Sequence, residues 1–415
     1  MGPTDGILQP GPDASSDAIN ASDAKDLPAG EAEAAGGSSW TAYFRPLLAL
    51  LLLFLFLVGV QALSTGIKGL GSGVIDGLIA AVQNPFTGLV TGILATTLVQ
   101  SSSVTTSLVV GLTASGVLPI QNAIPIVMGA NIGTTVTNTV AALAQIGRRT
   151  EFRRAFAAAT CHDFFNYLTV LALLPLEIAT GVLQKTSAWL VGLFPATAAT
   201  GATYKSPLKS ALKGCVHAME STIDFLTADA FFGSILLIVL AFGLIFLSLM
   251  LIVRVMKSLV LSRMEGFIRK VLGRGFKGGV LSIVSGAVLT VLVQSSSITT
   301  SVMVPLAGAG VVRLWQVFPV TIGANIGTTV TALIAASAVS GPAADLARQI
   351  AIVHLLFNLM GTALFYVPPM TRRWPMKAAQ WLAGVAVKSK RWALIYVVGA
   401  FYGVPAALVF LSRSF

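Results

Sequence analysis

Apolar residues in this chain come in long runs, without the strict alternation of a half-buried strand. Residues 46–63 are an almost unbroken series of Leu, Phe and Val, about the length a helix needs to cross a hydrocarbon core. Further runs at about 120–143, 153–178, 231–256, 314–339, 347–370 and 392–411 bring the predicted spans to seven. Two more apolar stretches, 86–114 and 280–310, are each interrupted midway by Gln-Ser-Ser-Ser. Each arm is only about half a membrane long. The pattern therefore predicts re-entrant helical hairpins, whose irregular backbone is tolerated only inside protein or beside a wet cavity.

Composition agrees. Of 415 residues, 55% are apolar and 10% charged, against about 25% charged in a soluble domain. Cys161 falls in a predicted span and Cys215 in a loop, so both are expected as free thiols. The net charge of +11 conceals an acidic leading segment: residues 1–39 hold seven acids against Lys25 alone. That segment has no apolar run and reads as a disordered tail, without the features of a secretory signal.

The bases cluster in three places. Arg148, Arg149, Arg153 and Arg154 follow the second span. Arg254, Lys257, Arg263, Arg269, Lys270, Arg274 and Lys277 follow the fourth, and Arg372, Arg373, Lys377, Lys388, Lys390 and Arg391 follow the sixth. The positive-inside rule puts all three loops in the cytoplasm, with the amino terminus inside and the carboxyl terminus outside. Basic charge so placed belongs to a lipid bilayer, and nucleic acid is not an expected partner.

Residues 100–137 align without gaps to 294–331, with 21 of 38 positions identical and GANIGTTVT unchanged. His162-x-x-Phe165-Asn166 recurs as His354-x-x-Phe357-Asn358. Three crossings separate the start of one copy from the start of the next, so the second copy is expected upside down, the architecture of many secondary transporters. The chain divides into an acidic tail (1–39), a first membrane repeat (40–180), an extracytoplasmic loop (181–230), an inverted second repeat (231–370) and a basic cytoplasmic loop with the last span (371–415). The fold class is an all-α polytopic membrane protein.

The glycines of Gly129-Ala130-Asn131-Ile132-Gly133 and Gly323-Ala324-Asn325-Ile326-Gly327 predict interrupted helices with unwound backbone. Asn131, Asn325, Thr134 and Thr328 supply oxygens there. The hairpin tips present Gln100, Ser101, Ser102, Ser103 and Gln294, Ser295, Ser296, Ser297 where half-helices end. Their N–H groups and positive dipole ends suit an anion, and hydroxyl and carbonyl oxygens suit a hard cation such as sodium. No charged side chain lies between Asp76 and Arg148 or between Lys277 and Arg313. An oxyanion bound at the tips would be balanced by dipoles, hydroxyls and co-bound cations, which points to cation coupling.

Small polar residues in membrane helices often only allow close packing. Against that, each QSSS is followed by GANIGTT starting 29 residues after its Gln. His162 and His354 read as structural histidines. Asp163, ten residues inside a span, reads as functional, because an intramembrane acid is costly; the competing reading pairs it with Arg153 or Arg154.

At these motifs the chain resembles the type II sodium-dependent phosphate cotransporters, through the paired QSSS, the GANIGTT after each, and FRRAFAAATCHDFFNYLTVLALLPLE at 152–177. The likeness covers about 46–178 and 231–411. It implies inward movement of inorganic phosphate with sodium, no organic cofactor and no catalytic residues. Phosphate is expected at Gln100–Ser103 and Gln294–Ser297 with Asn131 and Asn325. Sodium is expected at Gln100, Ser102, Thr134, Gln294, Ser296, Thr328 and Asp163. Ala157, Ala159 and Asp163 match the pattern of members that move net charge, implying that Asp163 helps hold an extra sodium and that transport is electrogenic. The short outer loop suggests a bacterial member in the plasma membrane. The alternatives are another oxyanion or coupling ion, and an intramembrane hydrolase using Ser102 or Ser296 with His162 or His354, which two equivalent sets disfavour.

Overall fold

In lipid every backbone N–H and C=O must be bonded inside the protein, so spans of this composition form helices. A computed structural model describes residues 39–71, 84–193, 207–273, 279–339 and 343–412. The acidic tail, Arg274 and Lys277 lie outside them. Residues 45–415 form the unit that carries the site.

The first copy comprises α1 (Ser39–Lys68), a hairpin of α2 (Pro85–Val99) and α3 (Ser102–Ala114), then α4 (Ile120–Thr134), α5 (Val136–Leu143) and α6 (Arg149–Thr180). Two helices, α7 (Val182–Leu193) and α8 (Pro207–Leu226), follow. The second copy comprises α9 (Ala230–Gly273), a hairpin of α10 (Gly279–Val293) and α11 (Ser296–Gly308), then α12 (Leu314–Ala338) and α13 (Ala344–Phe365). The chain continues through α14 (Pro369–Lys388), α15 (Lys390–Val398), a π-helical turn (Gly399–Gly403) and α16 (Val404–Ser412).

Among the described residues, seven helices are long and apolar enough to cross a membrane, from Phe44–Lys68 to Lys390–Leu408. They coincide with the seven runs in the sequence. The hairpin arms have 13 to 15 residues, or about 20–23 Å of helix, too short to cross the core. The basic segment after the sixth span, expected as a loop, is the helix α14.

One expectation is corrected. The GANIGTT glycines do not unwind the helix. In the second copy α12 runs unbroken through GANIGTTVT. In the first the only break is at Thr135, which keeps right-handed helical angles (φ −75°, ψ −17°). These glycines serve a close helix crossing instead. A Cβ on Gly129 would collide with the Leu89 carbonyl oxygen, and one on Gly92 with that of Ile126. In the second copy Gly323 meets Ile283 and Gly286 meets Val320 in the same way. Thus α2 lies backbone-to-backbone on α4, and α10 on α12. Lipid tails are as apolar as Leu, so association inside a bilayer depends on such close packing.

Candidate functional site

Each hairpin tip is built by one backbone device. α2 ends at Gln100, in the left-handed region at φ 59°, and α10 ends at Gln294 at φ 55°. They are the only described non-glycine residues with positive φ, a conformation costing an L-residue about 1–2 kcal/mol. That strain turns the chain so that the next serine starts a new helix. Ser101 Oγ accepts from Val104 N (3.3 Å), and Ser295 Oγ from Ile298 N (3.4 Å). Each glutamine is tethered from outside its hairpin: Thr137 Oγ1 donates to Gln100 Oε1 (3.0 Å) and Thr331 Oγ1 to Gln294 Oε1 (3.1 Å). Threonine pairs clamp the arms, Thr96 to Thr105 (2.9 Å) and Thr290 to Thr299 (3.0 Å).

The two tips come together. Gln100–Ser103 and Gln294–Ser297 line one cavity of about 190 Å³, closed on another side by Phe246, Leu249, Met250 and Val253 of α9. None of the described residues lining it is charged. First-turn N–H groups of α3 and α11 have no carbonyl a turn earlier to bond, so they present donors and positive dipole ends to a ligand. The volume is well below the roughly 300–1,000 Å³ of pockets for drug-sized ligands and suits a small oxyanion with ions. The α9 wall carries no motif that the sequence reading could use, since 231–256 reads only as an apolar span. A hydrophobe lining a cavity and one facing lipid have the same pattern.

The other expected residues do not line the cavity. Thr134 and Thr328 hydroxyls donate to Ala130 O (2.8 Å) and Ala324 O (2.9 Å) of their own helices. Asn131 and Asn325 lie in a buried seam between the copies. His162 Nε2 is 2.7 Å from Asn325 Oδ1, Asn325 Nδ2 donates to Asn166 Oδ1 (2.8 Å), Asn166 Nδ2 to Asn131 O (2.7 Å) and Asn358 Nδ2 to Asn131 Oδ1 (3.2 Å). The other ring nitrogen of His162 is 3.2 Å from Asn138 Nδ2, and Asn138 Oδ1 accepts from Thr300 (2.8 Å) and Ser301 (3.1 Å). His162 is thus held by asparagines and not by a QSSS serine, and both ring nitrogens of His354 lack hydrogen-bond partners. Neither histidine has the serine contact a hydrolase would need.

Asp163 is wholly buried. Its Oδ2 accepts from Thr139 Oγ1 (3.0 Å) and from the Tyr396 hydroxyl (2.8 Å), while Oδ1 has no partner. No basic side chain pairs with it among the described residues, so the pairing with Arg153 or Arg154 is not what the structure shows. Cys161 and Cys215 are free thiols, as expected.

Seven apolar spans around two discontinuous, hydroxyl-bearing hairpins define a polytopic helical membrane protein with one small polar site between its repeats. The Na+/Pi-cotransporter family profile matches residues 55–194 and 249–387, and the chain belongs to that family. It is 36% identical over 425 residues to sodium-dependent phosphate transport protein 2A of Rattus norvegicus, covering 87% of this chain and 67% of that one. To protein 2B of Homo sapiens it is 33% identical over 456 residues, covering 89% and 65%. No solved structure matches.

Proposed function

We propose that this chain is a sodium-coupled symporter of inorganic phosphate, working by alternating access around the cavity between the two hairpin tips. The observation that carries this reading is the meeting of both QSSS tips at one uncharged cavity. An oxyanion there meets serine hydroxyls and helix N-termini but no described basic side chain. Its remaining charge is met by sodium ions that share Gln100, Ser102, Gln294 and Ser296 with phosphate. The names of the relatives, all sodium-dependent phosphate transport proteins, favour phosphate and sodium over other ions. Asn131 and Asn325 act in this reading as struts between the repeats.

Asp163 holds a further sodium and makes the cycle electrogenic, because an unpaired carboxylate buried in the membrane is costly until a cation joins it. The repeats are inverted, with the amino terminus cytoplasmic and the carboxyl terminus outside the plasma membrane. The contacts between α6 and the final span support that topology. Tyr396 bonds Asp163 and, one turn on, Tyr167 bonds the Ala400 carbonyl (2.9 Å). The two helices therefore run parallel, as a third and a seventh crossing must.

The test is radiolabelled phosphate uptake into proteoliposomes, with sodium or potassium outside and the membrane potential clamped. The expected result is sodium-dependent uptake driven by a negative interior, with the voltage effect lost in Asp163→Gly. Uptake indifferent to sodium would overturn the coupling argument.

A further inference from the structure

The matched family segments end at residue 387, yet the final span reaches the buried aspartate. Its π-helical turn leaves the Ala400 carbonyl free to accept from Tyr167, and π-bulges inside α-helices are often found at functional sites. One turn earlier Tyr396 places its hydroxyl 2.8 Å from Asp163 Oδ2. The ring is held edge-on by Phe156 (6.2 Å, 78°) and Phe401 (6.4 Å, 81°), and at a tilt by Phe164 (6.3 Å). The phenol is thus a fixed arm.

The constellation occurs once. In the second copy the positions of Asp163 and Thr139 are Leu355 and Leu333. Thr139 and Tyr396 both donate to Oδ2, with the Thr135 side chain also beside the carboxylate, while Oδ1, buried and without a hydrogen-bond partner, is free for a cation.

We propose that Tyr396 is a positioning residue for the sodium held by Asp163: with Thr139 it fixes Oδ2 and so aims Oδ1. This rests on the symport reading and deepens it, by bringing the last span into the cation site. Tyr396 touches the carboxylate and not phosphate, so removing its hydroxyl should alter sodium dependence and spare phosphate recognition.

The experiment compares wild type, Tyr396→Phe, Asp163→Gly and the double variant in proteoliposomes, with Tyr167→Phe as the comparator whose bond joins the same two helices away from the carboxylate. Phe keeps the ring packing, and gel filtration of each variant checks that it is folded. A hydrogen bond to a charged group contributes about 1.5–3 kcal/mol, so Tyr396→Phe should raise the sodium concentration for half-maximal uptake about tenfold or more. Its phosphate half-saturation at saturating sodium should be unchanged, its effect should vanish in the Asp163→Gly background, and Tyr167→Phe should leave sodium dependence as in wild type.

An equal shift in both tyrosine variants, an additive effect with Asp163→Gly, or no shift in Tyr396→Phe would overturn the proposal while leaving symport standing. Absence of sodium dependence in the wild type would instead overturn the symport reading beneath it.

Discussion

The two hairpin tips are near copies, and the helices behind them are not. At the tips, Gln100 and Gln294 differ by a few degrees in φ, and their threonine tethers by 0.1 Å. Behind the tips, Asp163, Thr139 and Asn138 of the first copy are replaced at the equivalent positions of the second by Leu355, Leu333 and Ala332. The symmetric part is the part that must serve a ligand from either side of the membrane. The asymmetric part carries Asp163, the one buried acidic side chain among the described residues. Duplication therefore supplied two equivalent hairpin tips, and divergence beside them supplied a buried carboxylate on one side only.

The comparison can be broken most severely at the helix crossings. Gly129→Val and Gly323→Val each drive a Cβ into a backbone carbonyl, which no rotamer relieves. Both proteins should fail to elute as a monodisperse peak in detergent, and survival of either would show that the crossings are not equivalent.

Next come the buried serines. Ser102→Ala and Ser296→Ala each remove a hydroxyl from the cavity lining. Each should raise the phosphate half-saturation concentration about tenfold, the scale of a hydrogen bond to an anion. A tenfold effect on one side only would make the site lopsided.

On the same energetic scale, Asn138→Ala leaves His162 and Ser301 without their asparagine partner and should cost about 1–3 kcal/mol, read as a lowered thermal unfolding midpoint. The least change is expected from Gln100→Gly and Gln294→Gly. Relief of about 1–2 kcal/mol of left-handed strain opposes the loss of a tether of about 0.5–1.5 kcal/mol. The midpoints of the pair should stay close to wild type and move together.

Much of this was legible in the sequence. Seven spans followed from run length, and the hairpins from polar insertions between half-length arms. The tips met at one cavity as the repeat suggested. GANIGTT was misread because glycine permits both unwinding and close approach, and only the neighbouring helix decides between them. Asn131 and Asn325 went to the seam because asparagine partners 159 and 227 positions away leave no local trace. Tyr396 was overlooked for the same reason, since its partner is 233 residues distant.

The glycine crossings also have a mechanical consequence. Helices in backbone contact cannot slide without carbonyls colliding, so each hairpin is locked to its companion and moves with it as one jaw. What joins the two jaws is then the amide and imidazole seam, held by side-chain hydrogen bonds and not by interlocked backbone. In the alternating-access reading proposed above, opening toward one side of the membrane and then the other is two stiff jaws rolling over a polar bearing.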